Sequence, residues 1–379
     1  MRAQDRWRFE QNLAGIIVAG IMVAALLFAA RPASAATFDF PATPRNAWDT
    51  NGSVYALEIV GNTVYLGGSF TEVRSPNGVA QPRNNLAAIT LDTGEILPFR
   101  ADTNGGVRAI EADGSTVWVG GSFTTIGGVG RRRIAALDPV GGQVQTSFNL
   151  TVSASVYAIE RGPSDLFIGG GFGTSGATTL PYLIKVDPTS GAIRTDFAPR
   201  PSATVRALAL AGDRLIVGGD FTAISGVNRS YVTALSSADA SVVGGDFTAT
   251  APGKAFAVDV SADGKTVYAG LGGVANRVIA WNAETGVRLW RHIAMGDVQA
   301  IRLVEGKVYF GFHEGFANDT TVHLLAVNAE TGLLDPFRPT MDSFWGVWAI
   351  DGSPNGVVAG GVFTVVQGVP TRSVAIFGR

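Results

Sequence analysis

Few side chains in this sequence of 379 residues are suited to catalysis or metal binding. The absence of cysteine excludes thiol nucleophiles and zinc–thiolate sites. The three histidines, His292, His313 and His323, are not spaced so as to set two of them on one metal ion. No Gly-x-Ser-x-Gly nucleophile elbow accompanies them. The sequence therefore predicts no metal site and no cofactor, and it leaves any catalytic residue unknown.

Acidic residues offer the remaining route to enzymatic chemistry. Four aspartates, Asp49, Asp102, Asp297 and Asp342, each precede a copy of a recurring apolar-x-Ala-apolar element. Pairs of carboxylates catalyse the cleavage of polysaccharides in many enzymes. Aspartate also caps turns, because its short side chain accepts hydrogen bonds from nearby backbone N–H groups. Two interpretations stay open: a secreted polysaccharide hydrolase or lyase, and a set of turn caps.

A second set of candidate residues lies inside the recurring element. Six copies begin at Val54, Val107, Val156, Val205, Val298 and Val347, and a degenerate copy reads Phe256-Ala257-Val258. The apolar and alanine positions hardly change between copies, whereas the residue between them does. These variable residues are Tyr55, Arg108, Tyr157, Arg206, Ala257, Gln299 and Trp348. Rings, guanidinium groups and an amide together suit the stacking of a sugar and the bidentate binding of an anionic group.

The spacing of the copies indicates the fold. Their starts, near residues 54, 107, 156, 205, 256, 298 and 347, lie 42 to 53 residues apart. Each copy continues with three more short segments, rich in β-branched and aromatic residues and separated by turn residues, which predicts a four-stranded antiparallel meander. Such meanders bury both faces by packing against one another in a ring. The sequence therefore predicts an all-β fold, a seven-bladed β-propeller over residues 36–379.

The two ends of the chain predict how this propeller closes. The seventh copy stops at Phe377-Gly378-Arg379, directly after its third strand. Near the N-terminus, Thr37-Phe38-Asp39-Phe40 matches the pattern of a fourth strand. Because closure removes the exposed strand edges, we expect the N-terminal strand to complete the last blade and close the ring.

The variable residues belong to the innermost strand of each blade, which lines the central channel of a propeller. We therefore expect a ligand or partner site at the funnel mouth of the channel, formed by Tyr55, Arg108, Tyr157, Arg206, Gln299, Trp345 and Trp348. Trp345 is included because Phe344 and Trp345 form an apolar loop pair that is costly to expose without a use. The alternative is that both arginines pair with acids of neighbouring blades and that the rings fill gaps between blades.

Glycine pairs such as Gly67-Gly68 and Gly120-Gly121 recur in the second segment of the copies. No helix begins after them, so they lack the helix N-terminus that a phosphate cradle requires. We interpret them as points where the backbone of another strand approaches closely.

The N-terminal residues have the layout of a secretory signal peptide. An apolar run over 13–30 follows Arg2, Arg6 and Arg8 and precedes the small residues 33–36, with cleavage expected after Ala35. The alternative is an uncleaved membrane anchor. The mature chain would carry a net charge of −4, from 25 basic and 29 acidic residues, and no basic patch, which argues against nucleic-acid binding. We expect a secreted monomer whose partner is a carbohydrate, a small polar ligand or a protein.

Two stretches of the sequence resemble known repeats. Residues 119–131 and 217–229 resemble the delta-type β-propeller repeat of secreted actinobacterial proteins, a family of unknown function. That resemblance implies a propeller and secretion, and it brings no catalytic residues. Residues 280–290, which end on Trp290, are similar to the repeat of pyrroloquinoline-quinone enzymes and imply a quinoprotein dehydrogenase as a further alternative. The other copies end on Phe, and the vicinal cysteine pair of those enzymes is absent.

Overall fold

A computed structural model of the chain describes residues 39–175 and 178–378. The predicted signal peptide, with its apolar run over 13–30 and its cleavage site after Ala35, lies outside these residues. Within the described ranges, no helix is long and apolar enough to cross a membrane.

Seven antiparallel sheets, here called units one to seven, follow one another along the described part of the chain. The first strand of each unit carries the apolar-x-Ala-apolar element. The element forms a strand because its β-branched residues and its alternating burial favour one. The first strands are Ser53–Val60, Val107–Ala112, Val156–Arg161, Val205–Ala211, Lys254–Val260, Val298–Val304 and Gly346–Ser353. The sheet order in each unit is first, second and third strand, which is the predicted meander.

The second and third strands of each unit are buried along most of their length. The second strands are Thr63–Ser69, Val117–Gly121, Leu166–Gly170, Arg214–Gly219, Thr266–Gly272, Lys307–Phe312 and Gly356–Val362. The third strands are Leu86–Thr90, Ile134–Leu137, Leu183–Val186, Val232–Ser236, Arg277–Asn282, Leu324–Asn328 and Val374–Gly378. The seven second strands are the centres of their sheets, so they pair on both sides.

The fourth strands are shorter than the sequence predicts. A two-residue fourth strand, Val242–Val243, occurs in unit four, and a six-residue one, Arg288–Ile293, occurs in unit five. In units one, two, three and six, single bridges replace them, namely Ile89 to Ile96, Leu137 to Val144, Val186 to Ile193 and Val327 to Leu334. The predicted fourth strand is therefore reduced to a single bridge in these units. The aromatic residue of the segment is buried whether or not a longer fourth strand forms, as Phe99, Phe247 and Trp290 show.

Short elements on the loops complete the structure. Four units carry a small hairpin after the Gly-Gly-x-Phe segment, and in unit one a further short strand joins it. These strands are Asp49–Thr50, Glu72–Arg74 and Ala80–Pro82 in unit one, then Thr125–Ile126 with Val129–Gly130, Ala223–Ile224 with Val227–Asn228, and Val365–Val366 with Val369–Pro370. A single 3₁₀ turn, Thr248–Thr250, follows unit four.

The glycine pairs mark the closest contacts between and within units. A Cβ atom on Gly67 would lie 2.5 Å from Cγ1 of Val107 in the next unit. A Cβ atom on Gly68 would lie 2.0 Å from the carbonyl oxygen of Ser53 in the same unit. The contact between units recurs along the chain and also joins unit seven to unit one, where Gly360 meets Val54. The prediction of close backbone approach is confirmed at Gly68, whereas Gly67 and Gly360 meet a valine side chain of the next unit.

The apolar core consists of clusters that bridge neighbouring units. One cluster joins Tyr65 of unit one to Ile110 of unit two. Another joins Leu57 of unit one to Ile376 of unit seven. Each sheet therefore buries its faces against its neighbours, as the sequence pattern requires.

The N-terminal segment lies against unit seven. Phe40 is buried in one cluster with Phe377, and the backbone N–H of Arg45 donates to the carbonyl oxygen of Ile376 at 2.9 Å. The bridge to the third strand of unit seven therefore forms at Arg45, beyond the segment 37–40 that matched the strand pattern. Phe40 itself supplies a buried ring, as the aromatic residues of the other fourth segments do.

Candidate functional site

The first strands of all seven units line one cavity of about 180 Å³. Each strand contributes three consecutive residues, beginning with the variable residue of its element. The variable residues form a ring around this cavity, here called the channel ring: Tyr55, Arg108, Tyr157, Arg206, Phe256, Gln299 and Trp348. The structure therefore brings together the predicted site residues of the first strands, with one change in unit five.

A β-bulge explains why these side chains face the cavity. In unit one the register between the first and second strands shifts between Val54 and Ala56, so Tyr55 has no partner in the ladder. The same shift occurs in the first strand of each of the other six described units. A bulge re-aims the extra residue and frees it from cross-strand packing. The variable position is thus free to differ between units, whereas its Val and Ala neighbours pack.

In unit five the channel ring contains Phe256 and not Ala257, which corrects the alignment of the degenerate copy. The bulge lies between Ala255 and Ala257, so Ala255 takes the place of the usual valine. Ala257 has the alanine position of the element. This unit therefore contributes an aromatic ring to the site.

Aromatic rings and arginines alternate along one side of the channel ring. The guanidinium carbon of Arg108 lies 4.9 Å from the ring centroid of Tyr55 and 6.0 Å from that of Tyr157. The guanidinium carbon of Arg206 lies 5.9 Å from Tyr157 and 5.0 Å from Phe256. Both arginines therefore make cation–π contacts with their neighbours in the ring.

The two arginines differ in charge balance. Arg206 forms a bidentate ion pair with Asp220 of its own unit, with N–O distances of 2.7 and 2.8 Å, and this hydrogen-bonded pair raises the pKa of Arg206. The residue that corresponds to Asp220 in unit two is Ser122. Arg108 is exposed and forms no ion pair with the described residues. The predicted alternative, pairing with acids of neighbouring blades, therefore describes neither arginine.

Phe344 and Trp345, here called the aromatic shelf, lie on the loop before the first strand of unit seven. Their side chains are 58% and 52% exposed, and both rings pack on His313. Trp345 does not line the cavity, but its ring centroid lies 6.4 Å from that of Trp348. Trp348 in turn lies 5.7 Å from Tyr55, edge to face. The shelf is thus continuous with the channel ring.

Comparisons with known proteins show the fold and leave the family open. No family model matches the chain, and no curated protein matches it. The WD40 β-propeller domain of Doa1 aligns with a TM-score of 0.59 at 12% identity, covering 89% of this chain and 96% of that one. The chain has a β-propeller fold. The computationally designed Ika8 protein aligns with a TM-score of 0.56 at 14% identity, covering 90% and 100% of the two chains.

A second set of channel residues was missed from the sequence. Four positions after the first residue of the element, five blades carry an acid, and these acids are here called the carboxylate collar: Glu58, Glu111, Glu160, Asp259 and Asp351. They lie three residues along each strand from the channel ring, about 10 Å at ~3.3 Å per residue. Arg302 occupies the position in blade six, and Ala209 occupies it in blade four. A charged residue in otherwise apolar strands was the signal that could have shown the collar.

Each of the five collar acids links its own inner strand to the inner strand of the next blade. Glu160 accepts a hydrogen bond from the backbone N–H of Leu210 at 3.1 Å, and Asp259 accepts one from Leu303 at 2.6 Å. Glu58 and Glu111 accept equivalent bonds from Ala112 and Arg161, and Asp351 accepts one from Ile59. Because inner strands of adjacent blades do not pair as a ladder, these bonds satisfy backbone groups that would otherwise lack a partner.

Arg302 is the cation of the collar. Its guanidinium lies 2.8 Å from Asp351, and the charges of Asp351, Asp259 and Glu58 raise its pKa. Burial raises the pKa of Glu160 to about 8. Burial also raises the pKa of the other four collar acids. The collar thus holds more carboxyl groups than one guanidinium can neutralise, and it favours their protonated forms.

The four aspartates considered for catalysis hold loops together. Asp342 accepts hydrogen bonds from the backbone N–H groups of Thr364 and Val365 at 2.7 and 2.8 Å. Asp102 and Asp297 accept similar bonds from Asn84 and Gly273, and Asp49 accepts one from Arg372. Burial raises the pKa of Asp49 to about 6. None of the four lines the channel cavity, which fits the turn-cap interpretation.

Trp290, which carries the resemblance to quinone enzymes, docks between two blades. Its indole N–H donates to the carbonyl oxygen of Ala329 in blade six at 2.9 Å, and its ring packs on Tyr268. The corresponding aromatic residues of the other blades include Phe99, Phe148 and Phe197. In the described part of the chain, no group of three or more His, Asp or Glu residues could hold a metal ion.

Proposed function

We propose that this protein is an exported seven-bladed β-propeller that binds a ligand or a partner protein at the channel ring. The observation that carries the proposal is the ring itself: seven bulged positions, with five types of side chain among them, converge on one cavity. The neighbouring Val and Ala positions, which pack against other strands, are nearly uniform. Packing therefore does not explain why the ring positions vary. Concave sites with a few polar groups among apolar walls are typical of ligand binding.

The blade count and the closure of the ring rest on contacts between units. Seven first strands repeat one bulge and one glycine contact, and unit seven meets unit one through Gly360 and Val54. The bridge from Arg45 to Ile376 supports the N-terminal segment as the element that completes blade seven. We propose that these contacts close the ring and make it a rigid platform for binding.

Export and a relation to the delta-type repeat family belong to the same proposal. The basic residues before the apolar run over 13–30 and the small residues at 33–36 support a cleaved signal. Fusion of residues 1–36 to a reporter enzyme tests this directly. Export with cleavage after Ala35 supports the proposal, and retention of the reporter in the cell contradicts it.

The test of the binding site compares the protein with a channel variant. The intact protein, Tyr157→Ala and the control Leu289→Ala are titrated calorimetrically with a panel of oligosaccharides, organic acids, amino acids and peptides. Leu289 is an apolar residue, 49% exposed, on the outer strand of blade five. We expect at least one member of the panel to bind, with affinity at least tenfold weaker for Tyr157→Ala and unchanged for Leu289→Ala. The proposal is contradicted if no member of the panel binds, or if Tyr157→Ala binds with the same affinity as the intact protein.

A further inference from the structure

We propose that the channel ring and the aromatic shelf bind an acidic saccharide, with its carboxylate on Arg108 and a neighbouring sugar ring stacked on Trp345. This inference rests on the proposed binding function and names the ligand class of the same site. Four observations lead to it: an arginine without an acidic partner, two polar atoms without hydrogen bonds, an exposed aromatic shelf and a cavity of small volume.

Arg108 is suited to a carboxylate. Tyr55 and Tyr157 contact its guanidinium and hold it in the ring. Its N–H groups make no hydrogen bond to the described residues, and its unit has Ser122 where Asp220 neutralises Arg206. A guanidinium presents N–H groups in a fork that matches the two oxygens of a carboxylate. The charge of the site therefore favours an anionic group in front of Arg108.

Gln299 and Trp348 favour a ligand with hydroxyl groups. The Oε1 atom of Gln299 and the indole N–H of Trp348 are buried and have no hydrogen-bond partner among the described residues. One hydroxyl group can accept from the indole and donate to the amide oxygen. The two side chains belong to adjacent blades of the channel ring, and both line its cavity. A saccharide offers a hydroxyl group beside its carboxylate.

The aromatic shelf favours a second sugar ring outside the cavity. Trp345 is half exposed, and Ser343 fixes its loop by accepting hydrogen bonds from the backbone N–H groups of Trp345 and Gly346. The apolar face of a sugar stacks on such a ring at low entropic cost, because the loop is already ordered. The contact of Trp345 with Trp348 places this surface beside the channel ring.

The collar limits how far an acidic ligand enters. The cavity of about 180 Å³ is small beside the roughly 300–1,000 Å³ of typical ligand pockets, so it suits one sugar ring and not a folded segment of chain. Beyond it lie the five collar acids and a single arginine. A carboxylate at that depth would lose the fork of Arg108 and gain no free cation, because Arg302 is already paired with Asp351. The terminal acidic sugar of a chain fits this arrangement.

The experiment uses charged and uncharged forms of one ligand. Trimers of galacturonate, glucuronate and mannuronate, each with its carboxyl-reduced counterpart, are titrated calorimetrically against the intact protein. We expect at least one acidic trimer to bind at least tenfold more tightly than its reduced form. Arg108→Met removes that preference, whereas Arg132→Met, an exposed arginine outside the channel in the same blade, keeps it.

Two further variants separate stacking from charge. Trp345→Ala weakens the acidic trimer and its reduced form by a similar factor, because stacking does not depend on the carboxylate. Leu333→Ala, an exposed apolar residue on an outer turn, changes neither. Circular dichroism and melting temperature confirm that each variant is folded.

Several results overturn this inference. Equal affinity for the acidic and reduced forms of every trimer contradicts the role of Arg108. Loss of the preference in Arg132→Met as well as in Arg108→Met points to a general charge effect. Binding of a glutamate-rich peptide at the ring, with no trimer bound, overturns the saccharide but leaves the proposed binding function intact. The same conclusion follows if only a neutral member of the panel binds and its binding depends on Tyr157.

Discussion

Asp351 in the last blade accepts a hydrogen bond from the backbone N–H of Ile59 in the first blade, at 2.6 Å. The two residues are far apart in the sequence, so the bond ties the ends of the repeat array together. Asp351 also accepts a hydrogen bond from the backbone N–H of Gly352 in its own blade, and its other oxygen lies 2.8 Å from Arg302. One carboxylate thus serves three partners on three inner strands.

Replacement of Asp351 by Ala is expected to destabilise the protein by about 1–3 kcal/mol, since it removes a buried carboxylate that accepts hydrogen bonds from two backbone N–H groups and pairs with the partly exposed Arg302. Arg302 would be left with less counter-charge, and the N–H of Ile59 would lose its acceptor. The measurement is the free energy of unfolding in urea at pH 7. Glu330→Ala is the control, because Glu330 is an exposed acid on a turn, and its replacement should change stability by less than about 0.5 kcal/mol. Equal effects of the two variants would show that the contacts of Asp351 with Ile59 and Arg302 do not stabilise the protein.

The collar also predicts how stability depends on pH. Burial raises the pKa of Glu160 from 4.5 to about 8, so the folded state binds a proton that the unfolded state releases at lower pH. Stability from this group is therefore complete below pH 4.5 and is lost as the pH rises toward 8. The intact protein should be less stable at pH 8 than at pH 5.

Glu160→Gln isolates this effect, because the amide oxygen can still accept from Leu210 but does not ionise. We expect the variant to be more stable than the parent by more than about 1 kcal/mol at pH 8, given that one pKa unit corresponds to about 1.4 kcal/mol. At pH 5 the two should agree closely. Urea unfolding at both pH values gives the comparison, and a variant that is less stable at pH 8 would refute the protonated state.

The channel ring was predictable from the sequence because the bulge places a variable residue between two constant ones. The prediction failed in unit five, where Ala255 replaces the valine that marks the element, and Phe256 was therefore read as the apolar position. The collar was readable in the same strands, as the charges at Glu111 and Asp351 show. It was missed because these carboxyl groups accept hydrogen bonds from backbone N–H groups of the next blade, and only the structure shows that contact.

Other features needed the three-dimensional structure. The different charge balance of Arg206 and Arg108 is one example. The sequence has an aspartate, Asp220, fifteen positions after the element of Arg206 begins, but only the structure shows that the two side chains pair. The length of the fourth strands also needed the structure. The segment carries a buried aromatic residue in units with a single bridge and in unit five, where a six-residue strand forms, so its sequence pattern does not show where the ladder ends.

The N-terminal segment supplies a third prediction. Deletion of residues 36–45 removes the buried ring of Phe40 and the bridge from Arg45 to Ile376, so the melting temperature should fall. Phe40→Ala tests the ring alone and should cost about 3 kcal/mol, near the lower end of the range for a buried phenylalanine. Thr43→Ala, at an exposed position of the same segment, is the control. A truncated protein with an unchanged melting temperature would show that the segment does not complete the last blade.

The glycine pairs lead to a graded prediction for the repeat. A Cβ atom on Gly68 would lie 2.0 Å from the carbonyl oxygen of Ser53, and backbone cannot move aside without breaking the ladder. A Cβ atom on Gly67 would meet a methyl group of Val107 at 2.5 Å, which a small shift between blades can relieve in part. A Cβ atom on Gly130 would meet nothing within 4 Å.

Substitution by alanine should therefore destabilise in the order Gly68, Gly67, Gly130. We expect about 3 kcal/mol or more for Gly68→Ala and about 1–2 kcal/mol for Gly67→Ala, the range of overpacked sites. Gly130→Ala should lie within about 0.5 kcal/mol of the parent. Urea unfolding measures all three under one condition. If Gly67→Ala proved as mild as Gly130→Ala, the blades would not pack through this contact, and the near-constant valine of the element would need another explanation.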